Sequence, residues 1–170
     1  MPTSDQQGKE HALAWYAHLR PATVVDIGPG CGTYAALMRP HHRAHWTGVD
    51  VWAPYVDAYR LDRLYDELVV ADARHLDPTR FGVDLVIAGD VLEHMPAADA
   101  CALIARIQQH ARALLVSVPV LHLDQGAVGG NPFETHVDHW TAPGMRGVLG
   151  AGVVAEWIGD VLAYFLWRRE

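Results

Sequence analysis

The sequence predicts an α/β fold: a mostly parallel sheet with helices packed against both faces. Two observations carry that prediction. Short Val/Ile-rich runs alternate with helix-compatible pieces between residues 23 and 118, and strands buried on both faces read as such continuous apolar runs. Farther on, two strand-like runs at 153–158 and 161–167 are separated only by Gly159-Asp160. So short a link makes an antiparallel hairpin. The sheet should therefore close with one reversed strand, an ending that a plain dinucleotide-binding fold does not predict.

Taken in order, residues 8–20 (GKEHALAWYAHLR) place Ala12, Trp15, Tyr16 and Leu19 on one helical face and stop before Pro21, since the residue before proline is biased away from helix. Strands are expected at 23–27, 45–49, 68–71, 83–88 and 113–118. Helical pieces are expected around 33–39, 54–64 and 96–111. The last is the clearest, with Ala97, Ala100, Cys101, Ile104, Ile107 and Ala111 three or four apart behind Pro96. From 119 to 140 the chain carries Gly126, Gly129, Gly130 and Pro132 without periodicity. Loops this long are uncommon in compact domains and are usually lids or binding loops, so this one is assigned to the substrate side. One domain is expected over 1–170, with an N-terminal helical segment at 1–21 and a closing hairpin at 153–167.

Composition narrows the function classes. There are 13 Lys and Arg against 20 Asp and Glu, a formal charge of −7, and no basic stripe of the kind that displaces phosphate counterions. Nucleic acid is therefore not an expected partner. Cys31 and Cys101 form no CxxC pair, which fits a reducing compartment. The N-terminus is too polar for a signal peptide, and Glu156 and Asp160 interrupt the apolar stretch at 153–167. Neither a membrane span nor membrane association is expected, and the location expected is cytoplasmic.

The chemistry begins after the first strand, in Asp26-Ile27-Gly28-Pro29-Gly30-Cys31-Gly32-Thr33. Glycines let a backbone turn tightly and approach a ligand closely. In a nicotinamide-binding fingerprint the third glycine falls three residues after the second, whereas here it falls two after. Asp26 stands where a pyrophosphate would be repelled and a cationic amine tolerated. Taken alone, the turn is also explained as a tight turn and nothing more. Asp50 ends the second strand, where a carboxylate can accept from ribose hydroxyls, Asp72 ends the third, and GDVLEHM follows the fourth. Any one of these acids could be a helix cap. Together they occupy the carboxyl ends of consecutive strands, where open α/β sheets bind ligands.

VVDIGPGCG, GVD, VVADA and DLVIAGDVLEHM together resemble successive motifs of the class I S-adenosylmethionine-dependent methyltransferases. The LEHM element is similar to that of the group containing ubiquinone and menaquinone biosynthesis enzymes. The resemblance covers about residues 22–118, and the terminal hairpin extends it. It implies a three-layer, doubly wound, seven-stranded sheet in the order 3-2-1-4-5-7-6 with strand 7 antiparallel, and S-adenosyl-L-methionine as cofactor. It further implies that Gly28, Gly30 and Gly32 wrap the methionine part, with Asp26 helping to hold its amino group. Asp50 takes the ribose, and Val51 and Trp52 lie against the adenine. Asp72 reads the adenine amino group beside the Ala73 amide, while Gly89 and Asp90 line the methionine end and face the acceptor.

Methyl transfer from a sulfonium is an in-line displacement with an activated leaving group, so positioning supplies most of the acceleration. A base is needed only where the acceptor must lose a proton. The candidates are His136 and His139 in NPFETHVDHW, a segment similar to one in small methyltransferases, and Asp90. His94 fits a structural role or a pocket wall. His41, His42 and His45 read as a solvated connector, and no metal is expected, although His136 and His139 flanked by acids have ligand chemistry. Trp52, Tyr55, Tyr59 and Trp140 are candidates for an aromatic wall. The acceptor expected is a small molecule methylated on oxygen or nitrogen. It is held under the 119–140 loop, or a second subunit, as in a homodimer, or a carrier completes its site. A macromolecular or carrier-bound substrate and a non-catalytic cofactor-binding module are the alternatives.

Overall fold

Five apolar runs form parallel strands: β1 (Thr23–Ile27), β2 (His45–Asp50), β3 (Glu67–Val70), β4 (Leu85–Gly89) and β5 (Ala113–Pro119). Two more, β6 (Val153–Ile158) and β7 (Leu162–Arg168), make the closing hairpin, and β7 lies antiparallel to β5. The sheet order is β3-β2-β1-β4-β5-β7-β6, the arrangement expected. The computed structural model describes residues 5–170; residues 1–4, the start of the expected segment 1–21, lie outside the described residues.

Alternation along the strands explains the layers. Leu85, Ile87, Ala113 and Leu115 point into one core with Tyr16, Met38 and Trp46. Val86, Ala88, Leu114 and Val116 point into the other with Leu103, Ile104, Ile107 and Met145. Successive strand residues face opposite sides, so each apolar run serves both layers. Each fully buried Leu or Ile contributes roughly 1.5–3 kcal/mol of transfer free energy. The first layer is covered by α1 (Lys9–Leu19), α2 (Thr33–Met38) and α3 (Pro54–Ala58), the second by α4 (Ala97–His110) and α5 (Ala142–Leu149).

The helix expected over 54–64 is shorter. It stops at Ala58, Arg60 turns left-handed with φ 52°, and Leu61–Arg63 continue as a 3₁₀ turn. A bulky residue at positive φ ends a helix because a right-handed turn cannot include it. Thr141 caps α5, its Oγ1 accepting from the Gly144 N–H at 3.1 Å. Among the described residues no helix is long and apolar enough to cross a membrane.

The 119–140 stretch is irregular apart from a 3₁₀ turn at Pro132–Glu134 and a bridge between Val128 and Asn131. It is pinned all the same. Gln125 Nε2 donates to the Glu134 carbonyl at 2.7 Å, and the His136 N–H to the Gln125 carbonyl at 2.9 Å. Val137 and Asp138 N–H both donate to the Glu93 carbonyl, at 2.8 and 3.1 Å. Asp138 Oδ2 accepts from the Ala97 N–H that opens α4, at 2.9 Å. At the other edge Gln7 Oε1 accepts from Val161 N–H at 3.0 Å, tying the N-terminal segment to the hairpin turn.

One close approach depends on a missing side chain. A Cβ built on Gly89 would sit 2.1 Å from Tyr34 Cε2, and Tyr34 is buried beside it. Gly89→Ala should therefore destabilise the fold by about 1–3 kcal/mol through overpacking, read as a shift in the denaturant midpoint. An unchanged midpoint would mean that Tyr34 has room to move.

Candidate active site

A cleft of about 240 Å³ opens at the carboxyl ends of β1 to β4. β1 and β4 are neighbours from which the chain winds outward in opposite directions, so the cleft lies at the topological switch point. One end is formed by Gly28, Gly30, Asp50, Val51 and the Asp72-Ala73 turn; Gly89 and Asp90 lie between this end and the long loop.

The glycine turn is fixed by the Gly28 N–H, which donates to the Val49 carbonyl at 2.9 Å. Gly28 has φ 65°, and a Cβ there would stand 2.7 Å from Val91 Cγ2. Gly32, by contrast, does not line the cleft: it precedes α2 and packs toward Leu64. Asp26 lies beneath the turn rather than in the cleft. It is 1 % exposed, accepts from Tyr65 Oη at 2.6 Å, and burial pushes its carboxyl up to about 7. Asp50 accepts from the Trp52 N–H at 2.7 Å, and burial pushes it up to about 6. Neither Asp26 nor Asp50 forms an ion pair among the described residues. Buried acids without a cation suit a ligand that brings hydroxyl or ammonium donors.

Asp72 is placed differently. Arg74 grips both its oxygens through Nε at 3.0 Å and through NH2 at 2.6 Å, while the Arg74 N–H donates at 2.9 Å. These bonds hold the carboxyl below its ordinary range. Its accepting capacity is largely taken, and the Ala73 backbone lies beside it in the same wall. The Trp52 ring does not line the cleft; it packs 6.2 Å from Phe133, which does. Tyr55 also lines it and donates to Glu134 Oε1 at 3.0 Å. Tyr59 stands edge-on to Tyr55, and Trp140 is buried in the second core.

At the loop end Asp90 adopts a left-handed φ of 52°. Ser117 Oγ donates to its Oδ1 at 2.7 Å, and Tyr34 Oη lies 2.9 Å from the same Ser117 Oγ. Asp90 Oδ2 is buried without a partner. Beside it Glu93 is 3 % exposed, and burial together with the Asp90 charge raises its carboxyl well above the ordinary range. His94 and His136 both line the cleft, their rings 5.1 Å apart. Burial lowers the His94 imidazole. His139 does not reach the cleft; it is exposed, with its ring 3.6 Å from that of His122. His41, His42 and His45 form no ligand group among the described residues.

The sequence reading did not single out Tyr34, Ser117 or Glu93. Ser117 carries a usable signal, being the one hydroxyl inside the apolar run at 113–118. Glu93 has a weaker one, a charge next to Leu92 in a segment that must pack under the loop.

A methyltransferase-domain family model matches residues 24–113. A search of curated proteins finds no match. Among solved structures, the chain is similar to 1,6-didemethyltoxoflavin-N1-methyltransferase of Burkholderia thailandensis, solved with 1,6-didemethyltoxoflavin and S-adenosylhomocysteine bound. That likeness has a TM-score of 0.70 at 23% identity, over 97% of this chain and 79% of that one. The N-terminal domain of EvdMO1 with S-adenosylhomocysteine bound gives 0.69 at 14% identity, over 98% and 82%. The small RNA methyltransferase HEN1 gives 0.67 at 17% identity, over 100% of this chain and 26% of that one.

The buried Asp26 sets a pH dependence. Its folded value of about 7 exceeds an unfolded value of about 3.9, so the folded state holds the extra proton between them. The resulting stability is complete below about pH 4 and is lost as pH rises through about 7. Asp26→Asn cannot lose that proton. In ligand-free protein its stability should gain on wild type by on the order of 4 kcal/mol across that window, measured by denaturant unfolding at several pH values. A gap that stays constant would mean Asp26 is ionised in the folded chain.

Proposed function

Because this chain belongs to the class I S-adenosylmethionine-dependent methyltransferases, we propose that it methylates an oxygen or nitrogen atom of a small acceptor held under the 119–140 loop. The observation that carries the reading is the continuity of the cleft, which joins the glycine turn and Asp50 to Asp90 and His136. The cofactor is S-adenosyl-L-methionine, and the product is S-adenosyl-L-homocysteine.

The residues present fit that cofactor. Gly28 leaves a space that a Cβ would fill, and Asp50 is a nearly buried carboxylate awaiting donors. In this proposal Gly28 and Gly30 approach the methionine part, and Asp26 favours its ammonium from below the turn. Asp50 accepts from the ribose hydroxyls, Val51 lies against the adenine, and the Asp72-Ala73 turn meets the purine edge. Gly32 and Trp52 act from behind, shaping α2 and the Phe133 wall. Gly89 and Asp90 meet the methionine end.

When bound, the cofactor supplies a methyl group on a sulfonium, already activated for displacement. The protein's part is alignment and water exclusion. Asp90 Oδ2, buried and unpartnered, can accept a hydrogen bond from the acceptor. His136 Nδ1 is 2.6 Å from the Leu123 carbonyl, which can only accept. The proton therefore sits on Nδ1, and the Nε2 lone pair is left to take a proton or orient the acceptor.

A second reading, a macromolecular or carrier-bound acceptor, is supported by the likeness to a small RNA methyltransferase and by the exposed loop residues Phe133 and Val137. The charge of −7 favours the small acceptor over a polyanion. Transfer of labelled methyl from the cofactor, screened against small molecules and then RNA and carrier proteins, separates the two. Label found only in polymer would replace the first reading by the second.

Two expectations follow from the geometry. Ribose donors favour ionised Asp50, so below its free value of about 6 binding must expel a proton. Calorimetric affinity for S-adenosylhomocysteine should then fall toward tenfold per pH unit below about 6, a component that Asp50→Asn removes. Persistence of that component in the variant would place the titration elsewhere. For transfer, the loss of kcat in His136→Ala should exceed that in His139→Ala by about tenfold. Equal losses would take His136 out of the acceptor site.

A further inference from the structure

We infer that Glu93, His94 and His136 form a binding site for one divalent transition-metal ion at the acceptor end of the cleft. One donor atom from each lies within 4.8 Å of the other two, a spacing that a small closure of the rings brings to metal–ligand lengths of about 2.1 Å. The three residues are split between the turn after β4 and a loop some forty positions later, so their spacing along the chain forms no metal motif.

Three independent features point to a cation. Glu93 Oε2 is buried with no hydrogen-bond partner, a position that buried polar atoms rarely hold unless a ligand completes it, and a metal ion would displace the carboxyl proton. His94 Nδ1 lies 3.2 Å from the Thr135 carbonyl and His136 Nδ1 lies 2.6 Å from the Leu123 carbonyl. Both carbonyls accept, so both imidazoles carry the proton on Nδ1 and turn an Nε2 lone pair loose. Backbone carbonyls fixing the tautomer in this way are the usual outer support of metal-bound histidines. Finally, the loop is held where it must be: the N–H groups of Val137 and Asp138, next to His136, both donate to the carbonyl of Glu93 itself.

Two imidazoles and one carboxylate suit manganese, iron, cobalt or zinc in the divalent state better than calcium or magnesium. Three protein ligands leave open positions, as in catalytic rather than structural sites. Asp90, whose charge acts on both Glu93 and His94, and Glu134 enlarge the negative field there. This placement rests on the proposed acceptor position. There the ion would bind an acceptor hydroxyl and lower its pKa, the released proton passing to solvent before the oxygen takes the methyl. His136 then serves as a ligand in place of the proton-taking role proposed for its Nε2, and oxygen is favoured as the methylated atom. The exposed triad His122, Asp124 and His139 is a rival, but all three members are solvated, and no orphaned atom lies among them.

The test uses the full chain stripped with chelator and titrated with Co2+, followed by its visible absorption and by bound metal after dialysis. One ion per chain is expected, displaced by Zn2+ and not by Mg2+. Glu93→Gln and His136→Ala should each weaken binding at least tenfold, and His122→Ala should not. S-adenosylhomocysteine titrations of the same samples report separately on the cofactor reading and on folding of the variants. The inference is overturned if wild-type protein shows no saturable Co2+ binding. It also falls if Glu93→Gln and His136→Ala bind as wild type, or if His122→Ala abolishes binding.

Discussion

The pairing of β1 with β4 is the constraint on which the rest of this molecule depends. Val24 to Ile27 lie in register with Leu85 to Ala88, and from that seam the chain winds away in two directions. Two walls of the cleft leave that seam directly: the glycine turn leaves β1, and the Gly89-Asp90 corner leaves β4. Because both strands are buried on both faces, a slip of register would exchange the contents of two cores at once. The site inherits its precision from that penalty.

Asp90 shows how tightly the corner is specified. Its left-handed backbone is held by the N–H bond to the Ser117 carbonyl at 3.0 Å and by the Ser117 hydroxyl on its side chain. Ser117 sits on β5, the next strand out, and its hydroxyl also meets Tyr34 Oη on α2. Three elements from separate parts of the chain thus converge on one carboxylate, and Gly89 gives Tyr34 the room to join them.

The fold was legible in the sequence because it follows from periodicity and from one short link. Runs such as Leu114–Leu115–Val116 are buried on both faces, and the hairpin around Gly159-Asp160 has no other solution. The end of α3 was not legible, since nothing in Arg60 announces a left-handed residue. The wall of the cleft lined by Asp50, Val51 and Ala73 was readable because these residues follow strands closely. The loop end was not. His136 and His139 look alike in sequence, yet the bonds to Leu123 and Gln125 bring one into the cleft while the other stays with His122. Glu93 is separated from His136 by a long stretch, and only the clamp onto its carbonyl unites them.

The tie between Gln7 and the β6–β7 turn has a consequence for biosynthesis. Val161 and Leu162 of that turn line the loop end of the cleft, alongside residues from the very start of the described chain. During translation the glycine turn, Asp50 and the β4 corner emerge early and can assemble around the seam. The opposite wall waits for the hairpin, the last of these elements to leave the ribosome, and for the N-terminal segment to find it. A nascent chain halted before residue 161 would hold a cleft with one side missing, closed only when the hairpin turn and the segment around Gln7 meet.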